Sequence, residues 1–355
     1  MVSKHIININ ESARDALRKL SSMPDNSSLT LFVIDQDELL KGTVTDGDIR
    51  RGLLNNLEIS QSIRFFMNPD FRFITNSSNT TLVLREFRIE GLNLIPLLDD
   101  NHKLLEIIDL KKRKASLPIT ALLMAGGKGE RLKPLTDKIP KPMLMIGEKP
   151  IIEHNIDRLI SFGVKHFFIS VRYLKESIIN YLGDGSSKGV SISYIEETDA
   201  LGTIGAITKI EKIEHEDLLV MNSDILSNID FEDFYTSYKL QNSEMMLASI
   251  PYVIAVPYAV LKTENQFVKN FEEKPNYTYY SNGGIYLMKF NLKNKLVKEQ
   301  FCNATDLMEM LIQEKNASLT HYPILGYWLD IGRHSDYMKA QEDIKHINLL
   351  SLIHI

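Results

Sequence analysis

The run Ile119-Thr120-Ala121-Leu122-Leu123-Met124-Ala125, followed without a break by Gly126-Gly127-Lys128-Gly129, constrains this chain more than any other segment. An uncharged run of that length reads as a strand buried on both faces, and such strands belong to parallel sheets covered by helices. The residues downstream keep the pattern. Pro150 to Gly163 has proline at its start, apolar residues at helical spacing and glycine at its end, which predicts a helix. Phe167 to Val171, Val190 to Ile195 and Leu218 to Met221 read as strands, and Lys175 to Leu182 and Thr203 to Ile210 as helices. This alternation predicts an α/β fold built on a parallel sheet, which binds ligands beyond the carboxyl ends of its strands.

That segment begins about a third of the way along a chain of 355 residues. The length suits two or three domains at roughly 150 residues each. A basic run with Ser and Pro, Lys111-Lys112-Arg113-Lys114-Ala115-Ser116-Leu117-Pro118, reads as a linker and sets domains at 1–116 and 117–355. The first domain carries an internal repeat. Leu29 to Ile34 can be laid on Leu92 to Leu97, and the same offset lays Val44-Thr45-Asp46 on Ile107-Ile108-Asp109. A helical segment precedes each copy (Glu11 to Leu20, and Asn79 to Glu90), and copies this short are expected to pack together.

Composition excludes several classes. With 41 Lys plus Arg against 46 Asp plus Glu, the net charge is −5, a poor fit to a general nucleic-acid binder. The single cysteine, Cys302, forms no intrachain disulfide and no cysteine-based metal cluster. The N-terminus lacks an apolar core of signal-peptide length. The uncharged stretch Met245 to Leu261 contains Pro251 and Pro257 and reads as two short strands rather than a membrane span. A cytoplasmic location, no membrane, no nucleic acid and a homo-oligomer are the expectations. The apolar tail Ile347 to Ile355 suits either a subunit contact or completion of the fold.

The glycine-rich loop is suited to phosphate, because glycines let backbone N–H groups approach a ligand closely. Its spacing departs from two common phosphate motifs. Lys128 is followed by Gly129 rather than Ser or Thr, and a dinucleotide fingerprint would need glycine where Leu132 stands. The continuation, Glu130-Arg131-Leu132-Lys133-Pro134-Leu135-Thr136 through Pro140-Lys141-Pro142-Met143, resembles the signature of the sugar-1-phosphate nucleotidyltransferases. Further blocks extend the resemblance over most of residues 118 to 340. It implies a Rossmann-like, mixed-sheet domain of the GT-A type that joins a sugar 1-phosphate to a nucleoside triphosphate and releases pyrophosphate. It also implies that Leu123, Ala125, Gly126, Gly127 and Gly129 lie against the nucleotide, and that Arg131 and Lys141 hold the triphosphate. The chemistry suits these residue types. The attacking phosphate oxygen is already anionic, so catalysis needs cations and positioning rather than a general base.

The resemblance assigns the remaining blocks. Asp224, in Asn222-Ser223-Asp224 after a strand, matches the family's magnesium ligand, and Asp330, in Trp328-Leu329-Asp330-Ile331-Gly332, supplies a second carboxylate. One or two carboxylates with waters and phosphates suit Mg2+. In Glu196-Glu197-Thr198-Asp199-Ala200-Leu201-Gly202-Thr203 the loop would lie against the base, with Gly202 and Thr203 in contact. Glu196 or Glu197 would accept from a guanine edge; Glu196 is taken first, although the residues themselves leave the choice open. Thr203 also reads as the N-cap of the helix after it. Glu273 and Lys274, in a Glu-Lys-Pro element, would hold sugar hydroxyls and the sugar phosphate, with Asn282 and Gly284 closing over the sugar.

In the first domain, Lys41-Gly42-Thr43-Val44-Thr45-Asp46-Gly47-Asp48-Ile49-Arg50-Arg51 resembles the cystathionine-β-synthase (CBS) domain, and the repeat would make an α+β CBS pair. Such pairs commonly bind adenine nucleotides and regulate an attached enzyme, with Thr45 and Asp46 facing a ribose or phosphate; dimerisation without a ligand is the alternative. The second copy, Ile108-Asp109-Leu110, lacks the Gly-Asp that follows Asp46. A CBS pair ahead of this transferase resembles a group tied to nonulosonic (legionaminic-type) acid synthesis, which attaches GMP to glucosamine 1-phosphate. Mannose 1-phosphate is the second choice of sugar, and a catalytically silent nucleotide sensor is the reading from another class.

Overall fold

A computed structural model describes residues 2–24, 28–75, 80–111, 113–314 and 317–347. The chain forms two compact units, Met1–Ser116 and Leu117–Ile355. Residues 348–355 of the apolar tail, Lys112 of the linker and Asn79 of the second predicted helix lie outside the described residues.

The first unit contains β1 (Ile6–Asn8), α1 (Ala13–Ser21), β2 (Thr30–Ile34), β3 (Leu40–Thr45), α2 (Asp46–Leu54), β4 (Ile74–Thr75), α3 (Thr80–Ile89), β5 (Leu94–Leu98) and β6 (Leu104–Asp109). It has two three-stranded sheets, β1-β2-β3 and β4-β5-β6. In each the first pair is parallel and the second antiparallel. Both sheets carry an irregularity at one place, between Val33 and Ile34 and between Leu97 and Leu98. Thr30 and Leu94 open equivalent strands, and their partners are Thr45 and Asp109. Thr45 is therefore matched by Asp109 rather than Ile108, one residue away from the register in which the apolar runs align. Uninterrupted apolar strands carry little phase information, because both faces tolerate the same residues. The copies pack together through Phe32, Leu40 and Leu98.

Thr45 caps α2. Its hydroxyl accepts from the Asp48 backbone N–H and donates to Asp48 Oδ2 at 2.6 Å, while Asp46 pairs with Arg50 at 2.7 Å. Both residues named for a regulatory nucleotide therefore have local partners, supplied by the helix start itself.

The second unit contains β7 (Ile119–Ala125), β8 (Met145–Ile146), β9 (Lys149–Pro150), α4 (Ile151–Ser161), β10 (His166–Val171), α5 (Lys175–Leu182), β11 (Ser191–Glu196), β12 (Asp217–Asn222), β13 (Ile225–Ser227), α6 (Phe231–Leu240), β14 (Met245–Ala255), β15 (Val260–Glu264), β16 (Phe267–Glu272), β17 (Asn276–Lys289), α7 (Ala304–Gln313), β18 (Leu319–Pro323), β19 (Trp328–Asp330) and α8 (His334–Asp343). Its central sheet runs β11-β10-β7-β12-β17-β14-β18. The first four strands are mutually parallel; β17 runs against both β12 and β14, which makes the sheet mixed. Leu122, Leu218, Val220, Tyr286 and Met288 pack with Ala304, Leu307 and Leu311 of α7. The intervening residues Ala121, Leu123, Leu219, Met221, Ile285 and Leu287 are equally buried. With side chains alternating along a strand, both faces of the sheet are covered.

Two expectations change. Thr203 to Ile210 forms only a short 3-10 turn over Gly205–Lys209, where a helix is predicted. Cys302 O accepts from both Ile204 N and Gly205 N, at 3.1 and 3.2 Å, and this non-local tie replaces helical pairing. Within Met245 to Leu261 the break falls around Pro257, whereas Pro251 lies inside β14, opposite Tyr280. Ser249 is the last residue of β14 to pair with β18, so the missing N–H of Pro251 faces an open edge. Among the described residues no helix is long and apolar enough to cross a membrane.

Gly52 of α2 shows how tightly the first unit is packed. A Cβ there would lie 2.3 Å from Cδ1 of Phe66, a ring that is 5% exposed. Overpacking costs about 1–3 kcal/mol, which exceeds the roughly 1 kcal/mol that alanine gains over glycine in a helix. Gly52→Ala should lower the stability of this unit by about 1 kcal/mol, read as a lower urea midpoint with an unchanged slope.

Candidate active site

The carboxyl ends of the parallel strands converge on one cleft. The strand β7 ends at Ala125 and passes into Gly126-Gly127-Lys128-Gly129. Gly129 has φ +65°, and a Cβ on it would stand 3.0 Å from the Cβ of Lys141. A glycine here thus lets the Pro140-Lys141-Pro142 segment close over the loop. The Lys141 side chain is 12% exposed, and its ammonium is ion-paired with Asp224 Oδ2 and lies 3.8 Å from Asp330 Oδ1.

Asp224 and Asp330 are more than a hundred positions apart in sequence, yet the backbone sets them side by side. The strand β13 pairs antiparallel with β19, Ile225 opposite Asp330, and Ile331 N donates to Asp224 O at 3.1 Å. The Asn222-Ser223-Asp224 turn is pinned from beneath. Ser223 Oγ donates to Met124 O at 2.6 Å, and Asn155 of α4 donates to Ser223 O at 3.2 Å. Burial raises the Asp330 carboxyl above the ordinary range and the neighbouring Asp224 charge adds to this, while Lys141 and Arg131 pull the other way. The exposed Arg131 does not line the cavity described below; its guanidinium is 3.4 Å from the point a Gly332 Cβ would occupy.

A cavity of about 300 Å³ opens beside this cluster. Of the residues assigned from sequence, Ala125, Gly126, Gly127, Lys141, Gly202, Thr203 and Asp224 line it. Leu123 does not: it is fully buried within β7. Glu196 is also outside, turned to solvent and paired with Lys175 at 2.5 Å. Glu197 takes the lining position instead, 8% exposed, accepting from Ser170 Oγ and from Leu201 N at 3.0 Å. Adjacent residues at a strand end face opposite ways, which is why only one of the two glutamates enters the cleft.

Thr203 caps a helix, though not its own: its hydroxyl accepts from Ala304 N, at the start of α7, at 2.7 Å. Gly284, with φ +68°, lies against Asn222 and Ile225, on either side of Asp224's turn. Trp328 Nε1 donates to Gly283 O at 2.9 Å, tying the tryptophan block to the glycine pair. The exposed Asn282 turns back on the chain, accepting from Gly284 N at 2.9 Å. Glu273 and Lys274 sit on the exposed turn between β16 and β17 and do not line the cavity.

Arg172, Asn222 and Phe301 line the cavity without having been singled out in sequence. Arg172 follows β10 directly, so the strand-end rule applied to every parallel strand would have found it. No local signal marks Phe301. A Cβ on Gly202, at φ +76°, would stand 2.4 Å from Cys302 O, a backbone atom that cannot turn aside. Gly202→Ala should cost about 2–4 kcal/mol by combining left-handed strain with overpacking, measured by chemical denaturation.

The family model described as nucleotidyl transferase matches residues 120–347. A probable mannose-1-phosphate guanylyltransferase 1 of Oryza sativa subsp. japonica is 30% identical over 227 residues, 61% of this chain and 62% of that protein. A mannose-1-phosphate guanylyltransferase of Mycobacterium tuberculosis is 25% identical over 237 residues, covering 65% and 66%. The chain thus spans less than two thirds of the length of these curated relatives. A putative glucose-1-phosphate thymidylyltransferase from Bacillus anthracis, solved with sucrose, shares the fold at TM-score 0.53 and 24% identity, over 65% of this chain and 96% of that one. HddC from Yersinia pseudotuberculosis, solved with GMP-PN, gives TM-score 0.50 and 26% identity over 63% and 99%. The match to the family model, over residues that build the whole cleft, makes this chain a member of the nucleotidyl transferase family.

Proposed function

We propose that the chain joins a sugar 1-phosphate to a nucleoside triphosphate with release of pyrophosphate, transferring guanylyl to a hexose or hexosamine 1-phosphate. One observation carries this reading. Two distant carboxylates and a lysine held between prolines share one point at the mouth of the glycine loop. The phosphate oxygen of the sugar is the nucleophile, so no base is required. The chain's task is to hold two polyanions in line and to offset charge on the departing pyrophosphate. The glycine loop offers backbone N–H groups to the triphosphate, and Lys141 and Arg131 supply fixed positive charge.

The acidic pair fits a divalent cation. Asp224 Oδ1 is buried with no hydrogen-bond partner, and the Lys141 ammonium already lies between the two carboxylates as a cation would. Asp224 and Asp330 would hold Mg2+, with waters and phosphate oxygens completing its shell; among the described residues no third acidic or imidazole ligand joins them. Magnesium when bound would neutralise developing phosphate charge.

The names of the plant and mycobacterial relatives favour guanine as the base and mannose 1-phosphate as the sugar. The two-domain resemblance favours glucosamine 1-phosphate and a role in nonulosonic acid synthesis. The doubled sheet topology of the first unit supports its reading as a CBS pair, regulatory or dimerising.

Pyrophosphate release, assayed with four nucleoside triphosphates against glucosamine, mannose and glucose 1-phosphates in Mg2+, tests the reading. GTP with one hexose or hexosamine phosphate should be productive. Nucleotide binding without release from any pair would instead identify a sensor. Asp224→Asn should lower kcat/KM at least about 100-fold and raise the magnesium needed for half-maximal rate, as expected for loss of one electrostatic partner of the transition state.

A further inference from the structure

The cavity contains a second cation, Arg172, that the phosphate chemistry leaves unused. Its position follows from the sheet. Val171 is paired with Ala125 of β7 on one side and with Glu196 of β11 on the other, and Glu197 N donates to Val171 O at 3.0 Å. Arg172 therefore emerges between Gly126 and Glu197. Its Cβ and Glu197 Oε1 lie 3.5 and 3.4 Å from the point where a Cβ of Gly126 would stand. Both side chains thus flank the same glycine and face the same space.

Arg172 is held loosely. Among the described residues its guanidinium makes one hydrogen bond, from Nε to Gly126 O at 3.4 Å, beyond the usual range. Most of its five N–H donors remain available for a ligand. Glu197, by contrast, is fixed by Ser170 and Leu201, and no ion pair joins it to Arg172 among the described residues. Asp224 follows β12, which is separated from β10 by β7. Two strand spacings, about 10 Å, therefore divide Arg172 from the carboxylate and lysine cluster.

We propose that Arg172 is a specificity-determining residue that reads the base, and that with Glu197 it forms a donor–acceptor pair selective for guanine. Guanine presents acceptors N7 and O6 beside donors N1–H and N2–H2. The guanidinium fork matches the first pair, and a carboxylate matches the second. The N6 amino group of adenine and the N4 amino group of cytosine would meet donors with donors. Uracil and thymine offer O4 but no N7. This inference rests on the reading of the cleft as a nucleotidyl transferase site, and deepens it.

Equilibrium binding to the full chain in Mg2+ tests it without turnover, using GTP, 7-deaza-GTP, ITP and UTP with the native protein, R172A and R172K. The native protein should bind GTP at least about fivefold more tightly than 7-deaza-GTP, which lacks only the N7 acceptor. R172A should lose about 5- to 150-fold in GTP affinity and no longer distinguish 7-deaza-GTP, while UTP changes less. R172K keeps a cation without the fork, and its GTP to 7-deaza-GTP ratio should fall below the native value. ITP, lacking the 2-amino group, should be weakened in the native protein and R172A alike, because that group belongs to Glu197. Equal loss by R172A across GTP, 7-deaza-GTP and UTP would overturn the proposal, as would a native protein indifferent to N7. Absence of binding to any nucleotide overturns both this inference and the site reading. Base discrimination without pyrophosphate release in the turnover panel would remove the transferase activity and leave Arg172 as the base reader.

Discussion

The pairing of β13 with β19 is the contact on which the cleft depends. It places Asp224 beside Asp330, against the repulsion of two carboxylates at short range. That repulsion contributes to the raised pKa of Asp330, and the Lys141 ammonium between the two partly offsets it. A cluster of this kind persists only where the backbone over-determines it. Here the β13–β19 ladder, the Ile331 to Asp224 hydrogen bond and the anchors on Ser223 all converge on one turn. The buried, unpartnered oxygen of Asp224 is then the expense of a preformed place for positive charge.

Strand order lays out the rest of the cleft. From β11 through β10 and β7 to β12, the strand ends present Glu197, Arg172, the glycine loop and the Asn222 to Asp224 turn in sequence. Beyond β12, the antiparallel β17 brings Gly284 against the same turn. On the proposed reading, a nucleotide lying across these ends would have its base, phosphates and metal separated by whole strand spacings.

Much of this architecture was legible from sequence for physical reasons. Ile119 to Ala125 and Lys175 to Leu182 coincide with β7 and α5. Buried-strand composition, helix punctuation by proline and glycine, and strand–helix alternation are local properties that act over a few residues. The misreadings share one cause. The helix predicted from Thr203 is replaced by pairing with Cys302, about a hundred residues away, and the Thr203 cap serves α7. Glu196 and Glu197 are chemically equivalent in sequence, and only the facing of the strand end separates them. The repeat in the first unit is visible as apolar runs, but its register is fixed by Thr30 opposite Thr45 and Leu94 opposite Asp109.

The sequence by itself determined that a glycine loop follows a buried strand, and that a lysine between prolines and two strand-associated aspartates are available for phosphate chemistry. Those are short-range facts of composition and backbone preference. Tertiary structure alone decided that the aspartates meet and which glutamate enters the cavity. Each of these outcomes depends on hydrogen-bonded register between segments far apart along the chain, and a local window of residues carries no record of that pairing.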